Sequence, residues 1–318
     1  MIAAADYARF LGTEYLDQFV ASGGSTVKFV VPADEEAAGA FSAALLARSV
    51  AAGYVAVQVD AVATRIHLMD QVFFEIARKT DWAGLARRSV RSALADAGYR
   101  IATDQDDLAV EAVAARHGVD ATELARDVNR HLQQRIMVDY AMVREFRIAM
   151  LRLCQAELAT GQVSPSERAA VLGWLTGDLR QMSLLKSALI FRRTGRHNAR
   201  ELLFSLAHWL GVNGATGIVL ELDVRRLGFA RRPLPEERDG FYYTKAALLD
   251  AYELLRQLVD NTDELARCCI VVIAAPEFLT DDNRGVSAYQ ALKLRIYDEV
   301  RDRARDNPYS SLVRLGAS

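Results

Sequence analysis

The chain has 318 residues, 51% apolar and 25% charged, with a formal net charge of −2. That is enough for one large domain or two smaller ones around a substantial core, in the proportions of an ordinary globular protein. The near-neutral balance excludes a surface that is basic all over for nucleic acid and leaves room only for a local patch.

In chain order, residues 6–20 predict a helix, because Tyr7, Phe10, Leu11, Tyr15, Leu16 and Phe19 recur at helical spacing. SGGS at 22–25 breaks it, and VKFVV at 27–31 suits a short buried strand. Residues 34–52 predict a helix stopped by Gly53, and YVAVQVD at 54–60 predicts a second strand. Strand, helix and strand with short connections make the crossover unit of a parallel sheet. A helix over 67–80 follows. From 82 to 186 the pattern is helical throughout, and Ser164, Pro165 and Glu167 supply an N-cap, a first-turn proline and a capping-box acid. This stretch is predicted to be an all-helical insertion at 82–186, between two parts of an α/β core at 1–81 and 187–318. The second part carries a helix at 198–214, the strand GIVLELD at 217–223 and a polar loop at 231–245. A helix at 247–265, an apolar strand in CCIVVIAAPEF at 268–278 and helices through 289–305 follow. The recurring strand–helix order implies that one parallel sheet continues after the insertion.

Cys154, Cys268 and Cys269 are too few and wrongly spaced for a disulfide framework or a zinc site, and the adjacent pair reads as buried strand. The five histidines show no ligand spacing, so no metal site is expected. No basic leader precedes a long apolar core at the N-terminus, and no stretch reaches 18 apolar residues. No membrane span is expected, and the cytoplasm is the expected location.

The stretch FVVPADEEAAG at 29–39 stands where a strand runs into a helix through a short turn. In a phosphate-binding loop, G-x-x-x-x-G-K-[ST], glycine-rich backbone wraps a phosphate, a lysine bridges the outer phosphates and a hydroxyl holds magnesium. Laid on that frame, Pro32 and Ala37 replace the glycines, Ala38 replaces the lysine, and Gly39 replaces the hydroxyl. Pro32 offers no N–H. Asp34, Glu35 and Glu36 would face a triphosphate, where one like-charge contact near 4 Å costs about 4 kcal/mol at an effective dielectric of 20. The same acids in a first helical turn stabilise the helix by roughly 0.3–1 kcal/mol each. The expectation is a helix that supplies its own anion. GIVLELD followed by Val224 likewise has the outline of a magnesium-binding strand ending in Asp223, but Val224 cannot polarise water. Glu221 shares a face with Asp223 one step deeper and is not read as the catalytic acid.

Five segments, GGSTVKFVV (23–31), AAGYVAVQVD (51–60), NARELLFSLAHWLGVNGATGIVLELD (198–223), LLRQLVDNTDEL (254–265) and VVIAAPEFLTDDNRGVSAYQALKLRI (271–296), together resemble one family. It is that of the P-loop ATP-binding proteins of bacterial phage-exclusion (BREX) systems, related to AAA+ ATPases. The resemblance implies an α/β P-loop NTPase-like parallel sheet flanked by helices. It further implies a Walker A motif at 32–39, a Walker B at Asp223–Val224, a sensor position near Ala275 and an arginine finger at Arg295. Walker A has lost lysine and hydroxyl, Walker B its second acid, and the sensor site its polar group. Members of that family usually continue with helices after a segment like Val313–Leu315; this chain stops there, so the resemblance implies that a helical lid is missing.

Arg192, Arg193, Arg196, His197 and Arg200 form the densest basic cluster. It reads either as a solvated loop and helix start or as a contact for phosphates of nucleic acid or of a neighbour's nucleotide. The expected function is that of a pseudo-ATPase without a cofactor, a scaffold or regulatory subunit paired with an intact paralogous ATPase or with itself. Two alternatives stay open. One is an active ATPase with an atypical phosphate site using ATP and magnesium; the other is a nucleic-acid-binding defence component.

Overall fold

The computed structural model describes residues 1–101, 107–229, 239–297 and 306–316. Six strands form one sheet: β1 (Ile2–Ala3), β2 (Ser25–Pro32), β3 (Tyr54–Asp60), β4 (Gly217–Asp223), β5 (Cys268–Ile273) and β6 (Leu312–Gly316). Every pairing is parallel, and the spatial order is β1-β6-β2-β5-β4-β3. This is the α/β parallel sheet, flanked by helices, that a P-loop NTPase-like core requires. The first and last strands lie side by side, with Ile2 opposite Leu315, and β6 separates β1 from β2.

β2, β4 and β5 are nearly uninterrupted apolar runs because helices cover both of their faces. On one face, α1 (Ala4–Phe10), the segment Leu11–Val20 and α2 (Glu35–Ala51) bury Tyr7, Leu16, Phe41 and Leu45 against Val30, Val219, Val271 and Val313. The other face holds an aromatic cluster. Phe29 stacks on Phe278 at 6.1 Å, and Tyr252 meets Phe278 edge-on at 5.7 Å. Gly217 opens β4 at φ 152°, and a Cβ there would lie 2.1 Å from the Arg267 carbonyl oxygen.

Two units divide the chain: Met1–Ile76 with Gly214–Ser318, and Ala77–Asn213. α3 (Met69–Lys79) runs across the first junction. The second unit is helical: α4 (Trp82–Asp96), α5 (Val110–His117), α6 (Ala121–Met137), α7 (Arg144–Glu157), α8 (Pro165–Thr176) and α9 (Ala199–Val212). α4, α6 and α7 pack on one another, with Leu94, Val128, Leu132 and Phe146 fully buried. Ser164 caps α8 by accepting from the Glu167 N–H at 3.1 Å, with Pro165 in the first turn. The first unit is completed by α10 (Lys245–Asp260), α11 (Glu277–Thr280) and α12 (Gln290–Ile296).

Several elements differ from the sequence expectation. The predicted helix at 6–20 is α1 followed by a π-helix over Leu11–Val20. There the i→i+5 winding puts Leu11 and Leu16, five residues apart, on the buried face. The predicted strand over 268–278 stops at Ile273, and Pro276 already adopts helical backbone. The predicted helix at 247–265 ends at Asp260. β1 and β6 had no counterpart in the expectation. β6 alternates, with Val313 and Leu315 inward and Arg314 outward, over only five residues. Most of the 231–245 loop (231–238) and the second part of the helix at 289–305 (298–305) lie outside the described residues.

Candidate functional site

In a parallel sheet all strands point the same way, so the ends of β2, β4 and β5 open on one edge, where α/β folds hold their ligands. β5 lies between β2 and β4, which puts the ends of those two strands about 10 Å apart at standard strand spacing.

β2 runs on through Pro32, and α2 begins at Glu35. The connection is therefore Ala33 and Asp34 alone. The positions the motif reserves for a phosphate-wrapping loop are already helix from 35 to 39. Asp34 is the N-cap of α2, its carboxylate accepting from the Ala37 N–H at 2.8 Å. This is the standard capping arrangement, and it consumes a donor a bound phosphate would need. Ala37 and Ala38, at the places of the second glycine and the lysine, are buried in the core under α2, while Gly39 faces outward.

At the end of β4, Asp223 is gripped by Arg225. Nε of Arg225 lies 3.0 and 3.1 Å from the two carboxylate oxygens, and a second guanidinium nitrogen lies 2.5 Å from one of them. The same guanidinium donates to Glu35 at the start of α2. One arginine thus spans the two strand ends. Its Asp223 leg is the stronger one: it is forked and charge-assisted and mostly sheltered from water, contributing about 1.5–3 kcal/mol. The Glu35 side chain is 88% exposed, so that leg adds little. The hydrogen bonds to Asp223 push the Arg225 pKa up from its ordinary value, outweighing partial burial. Val224, beside it, is 2% exposed and donates its N–H to the Ile273 carbonyl at 2.8 Å. Ala275, at the sensor position, follows β5 half-buried with no polar group to offer.

Below Asp223, Glu221 is fully buried beneath α2. Oε1 accepts from Ser42 Oγ at 2.7 Å and from Gln58 Nε2 at 2.8 Å, while Oε2 has no partner among the described residues. Burial pushes its pKa up, against the lowering effect of Ser42 and Gln58. Burial of a carboxylate with one partnerless oxygen favours the protonated form.

Two further buried cations close this side of the unit. Arg226 donates to the Phe241 carbonyl at 3.0 Å and pairs with Asp239 at 2.6 Å. Arg284 donates to the carbonyls of Leu227 and Tyr243 at 3.0 and 2.8 Å. The turn after β4 is therefore fastened to the segments at 239–243 and 281–284.

The residues present do not fit a magnesium–nucleotide. A proline and a cap stand where free N–H groups are needed, an alanine where a lysine is needed. The acid that would order magnesium already holds a guanidinium. Arg225 was missed from the sequence because the motif reserves no role for position 225; the visible signal was a cation two residues after a strand-terminal acid.

The remaining expected residues lie elsewhere. Arg295, on α12, pairs with Asp260 and donates to the Ala291 carbonyl at 2.7 Å. Asp260 ends α10, about 24 Å along the helix from its start after β4. Arg192, Arg193, Arg196 and His197 are exposed in the helical unit, and Arg200 is half-buried in α9. Cys154, Cys268 and Cys269 are fully buried free thiols, and burial pushes the Cys154 and Cys269 pKa values up to about 12. Among the described residues no group of three or more His, Cys, Asp or Glu side chains is arranged to hold a metal, and no helix is long and apolar enough to cross a membrane.

No curated protein and no solved structure matches the chain significantly. A family model does, from residue 16 to residue 317, taking in both parts of the sheet and the whole helical unit. That match places the chain in the family described as BREX system ATP-binding protein BrxC/D.

Proposed function

We propose that this chain is a P-loop-fold subunit of a phage-defence assembly whose own nucleotide position is filled by protein charge. It serves as a scaffold or regulatory partner for an intact paralogous ATPase or for a second copy of itself. The observation that carries this reading is Arg225 held between Asp223 and Glu35. The guanidinium stands in for the metal cation, Glu35 and Asp34 stand in for the nucleotide's anion, and α2 is capped without help. To admit a triphosphate the chain would have to break the Asp223–Arg225 fork and bring phosphate against Glu35 and Glu36. Each like-charge contact near 4 Å then adds about 4 kcal/mol at an effective dielectric of 20. Retained framework beside lost chemistry suits a subunit used for its contacts. An arginine-finger role for Arg295 toward a neighbour requires it first to leave Asp260.

Isothermal titration with ATP and magnesium tests the reading. The expected result is no saturable binding, in the wild type and in Arg225→Ala alike, because the capped helix and missing lysine remain. Micromolar binding, or phosphate release above background, overturns it in favour of an active enzyme with an atypical phosphate site.

A further inference from the structure

From Leu179 to Arg200 the sequence holds Arg180, Lys186, Arg192, Arg193, Arg196 and Arg200 and no acid, in a chain whose overall charge is −2. Most of this stretch is neither α-helix nor strand, yet its backbone is fixed. Trp174 Nε1 donates to the Arg192 carbonyl at 2.7 Å, and Thr194, buried, returns a bond to the Trp174 carbonyl at 2.9 Å. Asn198 holds the Gly195 N–H at 2.9 Å, and Arg193 folds back onto the Arg180 carbonyl at 3.1 Å. Leu185, Ala188 and Ile190 are the buried anchors. Leu189 sits at φ 62°, a strained left-handed conformation for a branched side chain, kept only where the surroundings enforce it. This hydrogen-bonded stretch exposes Phe191 (61%), together with Leu184 and Leu189, and it also carries the exposed cations Arg180, Lys186, Arg192 and Arg196. None of those four cationic groups has an ion-pair or hydrogen-bond partner among the described residues.

We infer that this loop is a binding site for single-stranded nucleic acid, with the four cations on phosphates and Phe191 stacked on a base. Unpaired cations attract the phosphate backbone whatever the sequence, and an exposed aromatic face on the same stretch suits an unpaired base, which a duplex does not offer. A fixed backbone means little loop entropy is lost on binding. The site belongs to the helical unit and makes no use of the P-loop remnant, so it stands or falls independently of the pseudo-ATPase reading.

The test is fluorescence anisotropy of a labelled oligothymidine of about 16 nucleotides, titrated with the full chain between about 50 and 200 mM salt. The expected log–log salt slope is about −3, from four phosphate contacts at about 0.7 each. Arg192→Ala/Arg196→Ala should weaken binding at least tenfold and make the slope shallower by about 1.4. Phe191→Ala should weaken it about fivefold or more and leave the slope unchanged, as loss of one stacked base requires. Because all three side chains are exposed, the variants should melt with the wild type, which separates lost contact from lost fold. No binding at about 50 mM salt overturns the proposal, as does an unchanged slope in the double variant. A preference for duplex of the same length overturns the single-strand assignment. Unaltered binding by Phe191→Ala removes the stacking and with it the proposal, pointing to a protein or a generic polyanion.

Discussion

At Glu221 the physics of a single carboxyl can be read out directly. Its folded pKa is raised, so the folded state binds this proton more tightly than the unfolded chain does. Stability from this group is fully present below the unfolded value of 4.5 and is lost as pH rises through the raised folded value. Glu221→Gln keeps an oxygen for Ser42 and Gln58 and carries no proton to lose. The variant should therefore match the wild type in acid and exceed it progressively toward alkaline pH, in denaturant melts run across pH. Parallel curves for the two proteins would show that Glu221 is charged in the fold. Glu253 behaves in the opposite sense: Arg256, then Tyr289 and Gln257, hold its pKa down to about 2 despite partial burial. Its contribution is present above 4.5 and fades as pH falls toward about 2. Glu253→Gln should cost about 1 kcal/mol at neutral pH, since the site is a third exposed and screened. That deficit should shrink to nothing at the acid end of the same melts. At this scale the sequence was half legible. The absent glycine, lysine, hydroxyl and second acid could be read from Pro32, Ala38, Gly39 and Val224 alone. That Arg225 would fold back on Asp223, and that Glu221 would have one oxygen unpaired, depend on side-chain directions set by α2 and β3, which no local spacing records.

Among the elements, β2, α2, β3, β4 and the capped α8 were legible because their signals are local: apolar runs, a capping acid, a proline at the first turn. The losses were equally physical. β6 is short and one-sided, so its five residues show too little alternation to stand out. The π-helix keeps an apolar face that a 3.6-residue period reads as an ordinary helix. Chain breaks can also be misjudged, as at Pro276, where the apolar run outlasts the strand. Gly217 marks where an element is most fragile. Gly217→Ala forces a side chain at φ 152° into the Arg267 carbonyl that accepts the Ile218 N–H at 2.9 Å. Strain and a broken ladder bond together should lower stability by about 3 kcal/mol or more. A urea midpoint indistinguishable from wild type would refute that account of the strand's start.

Across the whole molecule, the sheet order could be anticipated only in kind: strand–helix–strand repeats imply parallel pairing, while the placement of β5 between β2 and β4 is a long-range outcome. That placement is what lets Arg225 bridge two ends of the motif. The side-by-side packing of the first and last strands has a consequence for how the protein is made. β1 has no seat on β2; it docks on β6, which is drawn from residues 312–316. Of the six described strands, β6 leaves the ribosome after the other five. Until it emerges, β2 presents an unpaired apolar edge and the residues at 2–3 have nothing to join. The nascent chain thus carries an open template for strand addition until residues 312–316 emerge.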